Sequence, residues 1–323
     1  MKNIFITGIT GLLGTNLAED LLMQGFRVKA LIRNSLKFTE FHHPNLILIE
    51  GNLQGDIAQH LTDIDIFIHI AAETNQNLIK YTDYRKINVN ATKHLFKVCK
   101  DSDVKKFIFV SSANTIGYGS ETHLGTENSP MKTPFTKSMY AKSKWEAEQY
   151  LLSHNDGIET IIVNPTFMIG SYDSKPSSGK IILMAWKKKF VFYPPGGKNF
   201  VGVKDVSQAI IQSIEFGENG ERYLISNENL SYKDFYTRLN SITKQKPLMI
   251  KIPKYILILI GFFGDIIRKL NIKTSISSTN MKALCINNYF SNEKSTKILN
   301  LKYNSIDKAI ADAVHYFERR NVR

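Results

Sequence analysis

Apolar residues in the first half of the chain fall into short dense runs, separated by stretches in which they recur every three or four positions. Ile4, Phe5 and Ile6 form the first run and read as a buried strand, followed by Leu17 to Met23 with helical spacing. Phe26 to Ile32 predicts a second strand. Leu46 to Glu50 and Ile64 to Ile70 predict two more, with Leu53 to Leu61 able to form a helix between them. Asn88 to Lys100 is patterned as an amphipathic helix, and Phe107 to Val110 as a strand ending in Ser111-Ser112. A helix opens at Tyr140 and continues through Trp145, Glu146 and Tyr150. Ile158 to Val163 predicts another strand, broken by Asn164-Pro165 because proline cannot continue a central ladder. Strands alternating with helices in this way predict an α/β fold, a doubly wound parallel sheet with helices on both faces.

The turn after the first strand carries the first chemical signal. Gly8, Gly11 and Gly14 follow the strand directly and lead into a helix. A pyrophosphate-binding turn needs glycines there because the turn is tight, the backbone must approach the anion, and the helix must pack near the strand. Free N–H groups at the helix start then hold the charge. The spacing is Gly-x-x-Gly-x-x-Gly rather than Gly-x-Gly-x-x-Gly, so the strand before it carries the argument. The second strand ends in Arg33-Asn34 with no Asp or Glu beside it. An acidic residue at that end would hold the ribose hydroxyls of NAD, whereas an arginine accommodates the extra phosphate of NADP. NADP is the expected cofactor, with NAD as the alternative.

Residues 1–164 and 202–218 are therefore expected to form the dinucleotide-binding domain, the second segment being a helix over Val206 to Phe216 capped by Asp205. Residues 165–201 and 219–323 are assigned to a smaller C-terminal substrate-binding part, with the site in the cleft between the two. Tyr172 to Gly179 and Tyr193 to Lys198 are rich in Pro, Gly and Ser and read as loops suited to be substrate lids. Tyr255 to Ile267 is strongly apolar but short for a bilayer span. The expectation is a helix over the substrate pocket; contact with a membrane surface is the less favoured reading.

The net charge of +13 changes little. The basic residues are scattered, the longest cluster being Lys187 to Lys189, and no nucleic-acid motif accompanies them. A small-molecule partner is expected and a nucleic acid is not. Cys99 and Cys285 lie far apart without metal-ligand spacing, so neither a disulfide framework nor a metal site is expected, and a reducing, cytoplasmic compartment fits. The N-terminus lacks the continuous apolar segment of a cleaved signal. His69 and His315 are isolated, and His69 is assigned a structural place.

The second chemical signal is Tyr140-Ala-Lys-Ser-Lys144, which sets Tyr140 and Lys144 on one helix face a turn apart. A tyrosine with an ordinary pKa near 10 exchanges protons poorly at neutral pH, and a nearby ammonium stabilises its phenolate. A hydroxyl such as that of Ser112 could fix the same substrate oxygen.

Taken in order, Thr7-Gly8-x-x-Gly11-x-x-Gly14, His69-x-Ala71-Ala72, Asn88-x-x-Ala-Thr92, Ser111-Ser112, Tyr140-x-x-x-Lys144 and Asn164-Pro165-Thr166 resemble the extended short-chain dehydrogenase/reductases, the NAD-dependent epimerase/dehydratase family. Leu31-Ile32-Arg33, Asn164 to Gly170 and the apolar run near Ile256 look most like the dihydroflavonol-4-reductase and 3β-hydroxysteroid dehydrogenase branch. The resemblance implies a Rossmann fold and covers the chain to about Val206. It implies Tyr140 as general acid/base, Lys144 as the group that tunes it and binds the nicotinamide ribose, and Ser112 as the residue that orients the carbonyl, with Ser111 the fallback. It implies a cofactor site formed by Gly8, Thr10, Gly11, Leu12, Leu13, Gly14, Arg33, Asn52, Leu53, Ala71, Ala72, Asn88, Tyr140, Lys144 and Pro165, with Thr166 beside the substrate. Dimers are frequent in that family. Two departures stand out: Gly51-Asn52-Leu53 replaces the family's Gly-Asp-Leu, and Gly202 lies ahead of Asp205 where a histidine is often found.

The leading expectation is an NADP(H)-dependent reductase acting on a ketone or aldehyde of a small, fairly apolar molecule. A nucleotide-sugar epimerase or dehydratase with tightly held NAD is the alternative on the same site. A cofactor-sensing protein without turnover is the third, since fold alone does not imply function.

Overall fold

The computed structural model describes residues 2–321. Six strands of the main sheet occur in the first half of the chain: β1 (Asn3–Thr7), β2 (Arg27–Ile32), β3 (Leu46–Glu50), β4 (Ile66–His69), β5 (Lys106–Val110) and β6 (Glu159–Pro165). A seventh, Arg222–Ile225, joins much later, giving the order Arg222–Ile225, β6, β5, β4, β1, β2, β3. Every pairing is parallel. β1, β4 and β5 are buried on both faces, which explains why they read as continuous apolar runs.

Each face of the sheet has its own core. On one, Ile4, Ile6, Ile66 and Ile68 pack against the helices Leu12–Met23 and Val203–Phe216. On the other, Phe5, Phe67 and Phe107 stack in register, with ring centroids 5.1 and 5.3 Å apart, beneath the helices Ala91–Lys100 and Met139–Ser153. The winding reverses between β1 and β4. Ligands of open α/β sheets bind outside the carboxyl ends of the strands at such a reversal, here at Thr7-Gly8 and His69-Ile70-Ala71.

The C-terminal part has a separate core around a second sheet. Its central strand, Gly197–Gly202, pairs antiparallel with Glu228–Ser231 and parallel with Phe167–Ile169 and Asn287–Asn288. Phe200 stacks on Phe235 at 4.4 Å, and the helices Tyr232–Ile242 and Ile306–Arg319 close the cluster. Thr166 ties the two sheets together: its N–H donates to Ile225 O and its hydroxyl to Asn199 Oδ1 at 2.7 Å.

Several local expectations are corrected. Leu53 to Leu61 forms only a short 3-10 turn at Ala58–His60, because Asn52 Oδ1 takes the Gln54 N–H and the chain turns instead of winding. The helix expected from Asn88 begins at Tyr81, with a π-helical segment over Lys86–Asn90. β6 continues through Pro165. The proline is its last residue, where a missing donor interrupts nothing. The helix expected from Val206 starts at Val203. Asp205 therefore lies in its first turn and accepts from Asn304 Nδ2 at 2.6 Å instead of capping it. The parallel sheet takes in Arg222–Ile225, a strand beyond the 202–218 segment. Part of the expected 193–198 loop is strand from Gly197 onward. The apolar run forms the expected helix, Lys254–Lys269, in which only Leu257, Gly261 and Gly264 are buried. Among the described residues no helix is long and apolar enough to cross a membrane.

Candidate active site

The Met139–Ser153 helix starts where the Ser138 hydroxyl accepts the Ala141 N–H, and its one-turn periodicity lines up Tyr140, Lys144 and Glu148. Lys144 is buried. Its Nζ donates to Val110 O at 2.7 Å and lies 4.2 Å from the centre of the Phe109 ring. Burial pulls the ammonium down to about 7, with the Glu148 carboxylate opposing. Tyr140 is pushed up to about 12 by burial, with the Ser112 hydroxyl working the other way. The sequence spacing predicts the opposite direction for Tyr140. The difference arises because the Lys144 ammonium is turned to the Val110 carbonyl while the phenol is removed from water. A phenol in this state holds its proton at neutral pH and can donate it.

The serine doublet is separated by burial. Ser112 is half-buried, influences Tyr140, and caps the turn Ala113–Thr115 by accepting the Asn114 N–H. Ser111 is buried beside Glu148. The structure thus brings Ser112, Tyr140 and Lys144 together and leaves Ser111 behind them.

Glu148 is a member of the site that the sequence motifs do not single out. Fully buried, it accepts from Thr115 Oγ1 and Asn164 Nδ2, both at 2.7 Å, and its other oxygen faces Arg222 Nη1 at 3.6 Å. Burial raises its pKa, and these donors and the guanidinium lower it. A buried carboxylate one turn beyond a buried lysine helps to keep that lysine charged. The available signal is Tyr140-x-x-x-Lys144-x-x-x-Glu148, one face of one helix.

The glycine turn fits an anion. Gly8 has φ +84°, and a Cβ on it would lie 2.8 Å from Ala71 N; one on Gly14 would lie 2.0 Å from Gly8 O. These two positions bring strand and helix together. At Gly11 the nearest atom to such a Cβ is 3.5 Å away, so its face is open, and no side chain caps the helix that begins at Leu12. The unpaired N–H groups of that first turn meet a ligand approaching across Gly11. Thr10, Leu12 and Leu13 complete the turn, while Thr7 Oγ1 accepts from both Ile70 N and Ala71 N, tying Ala71 and Ala72 to it. Gly14→Ala is expected to cost about 1–3 kcal/mol of stability, the usual range for overpacking, read from a urea unfolding midpoint.

Arg33 is exposed at the end of β2. The carboxylate of Glu50 is engaged by the Ser35 N–H and hydroxyl at 2.8 and 2.6 Å. Asn52 turns its carboxamide oxygen to Gln54 N, with Leu53 following it. Asn88 is buried with both amide hydrogens used, one on Glu73 O and one on Ser143 Oγ, while its oxygen takes the Glu73 N–H. It fastens the loop after Ala72 to the tyrosine helix. Pro165 is buried at the end of β6, and the Thr166 hydroxyl is taken up by Asn199. His69 bridges Thr7 and Thr92 inside the core, where burial holds it neutral at about 3, a structural place.

The chain as a whole has counterparts among known proteins. The model of the NAD dependent epimerase/dehydratase family matches residues 4–226. A Synechocystis protein provisionally named dihydroflavonol 4-reductase is 27% identical, covering 97% of this chain and 94% of its own. A sterol-4-alpha-carboxylate 3-dehydrogenase (decarboxylating) of Dictyostelium discoideum is 30% identical over 73% of this chain and 75% of its own. The crystal structure of gox2253 superposes with a TM-score of 0.85 at 26% identity, covering 99% of each chain. With about two thirds of its length matched by the family model, the chain belongs to the NAD-dependent epimerase/dehydratase family, the extended short-chain dehydrogenase/reductases, and is an NAD(P)-dependent enzyme of that type.

Proposed function

We propose that this enzyme is an NADP(H)-dependent reductase of a ketone or aldehyde carried by a small, fairly apolar molecule. The observation that carries the reading is Tyr140: a phenol held protonated by burial, beside the Ser112 hydroxyl, is a proton donor in waiting. When bound, the nicotinamide cofactor supplies the hydride. Tyr140 then gives its proton to the carbonyl oxygen as charge develops there, and Ser112 holds that oxygen in line. Lys144, whose ammonium also holds the Val110 carbonyl, would bind the cofactor ribose. The uncapped helix start behind Gly11 holds the pyrophosphate. Burial of Lys144 strengthens the interactions it makes.

Arg33 and the missing acidic residue at the end of β2 support NADPH over NADH. The two relatives described above carry names of flavonoid and sterol chemistry, which supports an apolar substrate. The test is a fluorescence titration with NADPH and NADH, then a screen of lipophilic ketones for NADPH oxidation. NADPH is expected to bind more tightly, and Arg33→Asp to shift the preference toward NADH by about tenfold or more, the loss of one charge-assisted phosphate contact. Purified protein that retains NAD and turns over no ketone would instead favour a nucleotide-sugar epimerase or dehydratase.

A further inference from the structure

The Lys254–Lys269 helix has an inside-out arrangement. Its buried stripe is Leu257, Gly261 and Gly264, and the glycines admit the 275–281 segment so closely that a Cβ would sit 2.9 Å from Ser278 Cα and 2.5 Å from Ile276 O. The large apolar side chains face outward. Tyr255 is 71% exposed, and Leu259, Phe262 and Phe263 are each more than half exposed, with Leu270 and Ile272 continuing the surface. Water-facing helices normally show the reverse pattern, and an apolar surface this extended marks a contact site.

A second surface leads into it. In the ribbon formed by Phe190–Tyr193 and Leu248–Lys251, Phe190, Phe192 and Leu248 are also more than half exposed, and Ile252-Pro253 connects the ribbon directly to the helix. The charge bordering both elements has one sign. Residues 244–282 contain eight lysines and arginines and a single acid, Asp265, which accepts the Ser278 N–H. Exposed Lys188 and Lys189 precede Phe190.

We propose that this surface docks on an anionic phospholipid bilayer, the helix lying among the headgroups with Leu259, Phe262 and Phe263 inserted and the lysines on lipid phosphates. A helix of 16 residues is about 24 Å long, short of the roughly 30 Å hydrocarbon core, so it lies on the membrane and does not span it. A second copy of the chain fits less well, because it would oppose two surfaces of the same charge. The contact stands whatever reaction the site performs. Its position relative to the cleft is informative: Arg268 at the end of the helix donates to Leu78 O at 2.6 Å, in the loop that Asn88 and Tyr84 fasten at Glu73 and Asn75. A bilayer-dissolved substrate would reach that loop without crossing bulk water.

The test is flotation of the full-length protein with vesicles of phosphatidylcholine alone and of phosphatidylcholine with phosphatidylserine. The protein is expected to float with the anionic vesicles at low salt and to be released by high salt. Leu259→Glu/Phe262→Glu/Phe263→Glu should remain at the bottom of the gradient, and Lys254→Glu/Lys269→Glu should lose about tenfold or more in partitioning. Circular dichroism melts verify that both variants fold; the charge variant, altered only at exposed positions, preserves the test if the apolar variant does not. Wild-type protein that binds no vesicle overturns the proposal, as does a folded variant that floats like wild type. A dimer in light scattering that the apolar variant abolishes, with no vesicle binding, would assign the surface to a second copy instead.

Discussion

Tyr140→Phe is expected to lower kcat by about 10²–10⁴ while leaving NADPH affinity nearly unchanged, because the phenol hydroxyl supplies only the proton transfer. The ring remains to pack, and no buried hydrogen-bond network is dismantled. Steady-state reduction of a lipophilic ketone, paired with a cofactor titration, separates the two effects. The direction of the Tyr140 shift adds a pH signature. At about 12 the phenol is protonated through the physiological range, the form needed for reduction, whereas alcohol oxidation needs the phenolate. The oxidation rate should therefore climb as pH rises. Turnover by Tyr140→Phe at the wild-type rate would remove tyrosine from the reaction and undo the reductase mechanism.

The second large effect concerns stability. Lys144→Met should abolish most activity and yet make the protein harder to unfold. The lysine is held near 7 in the folded chain and titrates at 10.5 when unfolded. Below about pH 7 both states carry the proton, so the cost of burying the charge is present in full. Between 7 and 10.5 the folded state gives the proton up while the unfolded state retains it, and the cost falls as pH rises. The gross figure is about 4–5 kcal/mol. Loss of the bond to Val110 O and of the contact with the Phe109 ring offsets part of it, leaving an expected gain of about 1–3 kcal/mol. Urea midpoints at pH 6 and pH 10 should show a gain at the lower pH that fades at the higher. A gain equal at both would mean that the methionine packs better for reasons unrelated to charge.

The central strands and the glycine turn are legible in the sequence because a parallel sheet buried on both faces leaves unbroken apolar runs, as at Ile4 to Ile6 and Phe107 to Val110. Tyr140, Lys144 and Ser112 can be grouped because helix periodicity and a strand end bring them to one place. What cannot be read depends on long-range pairing. Arg222–Ile225 is an ordinary short apolar segment until β6 is beside it. Glu148 looks like any helical glutamate until Thr115, Asn164 and Arg222 surround it. The direction of the Tyr140 shift is hidden for the same reason: spacing places an ammonium near a phenol but does not reveal that Val110 holds the ammonium. That the large side chains of the apolar run near Ile256 face outward cannot be read either, because composition alone does not say which way side chains face.

The late arrival of the seventh strand has a consequence during synthesis. As the chain emerges from the ribosome, β6 is complete at Pro165, but its outer neighbour lies nearly sixty residues downstream, at Arg222–Ile225. Until then a row of unpaired backbone groups along β6 is open to other strands, including those of neighbouring nascent chains. An N-terminal fragment ending near residue 164 would therefore expose β6 as a bare edge and is expected to be prone to association. A fragment that continues past Ile225 carries all seven strands of the sheet and covers β6 on both sides.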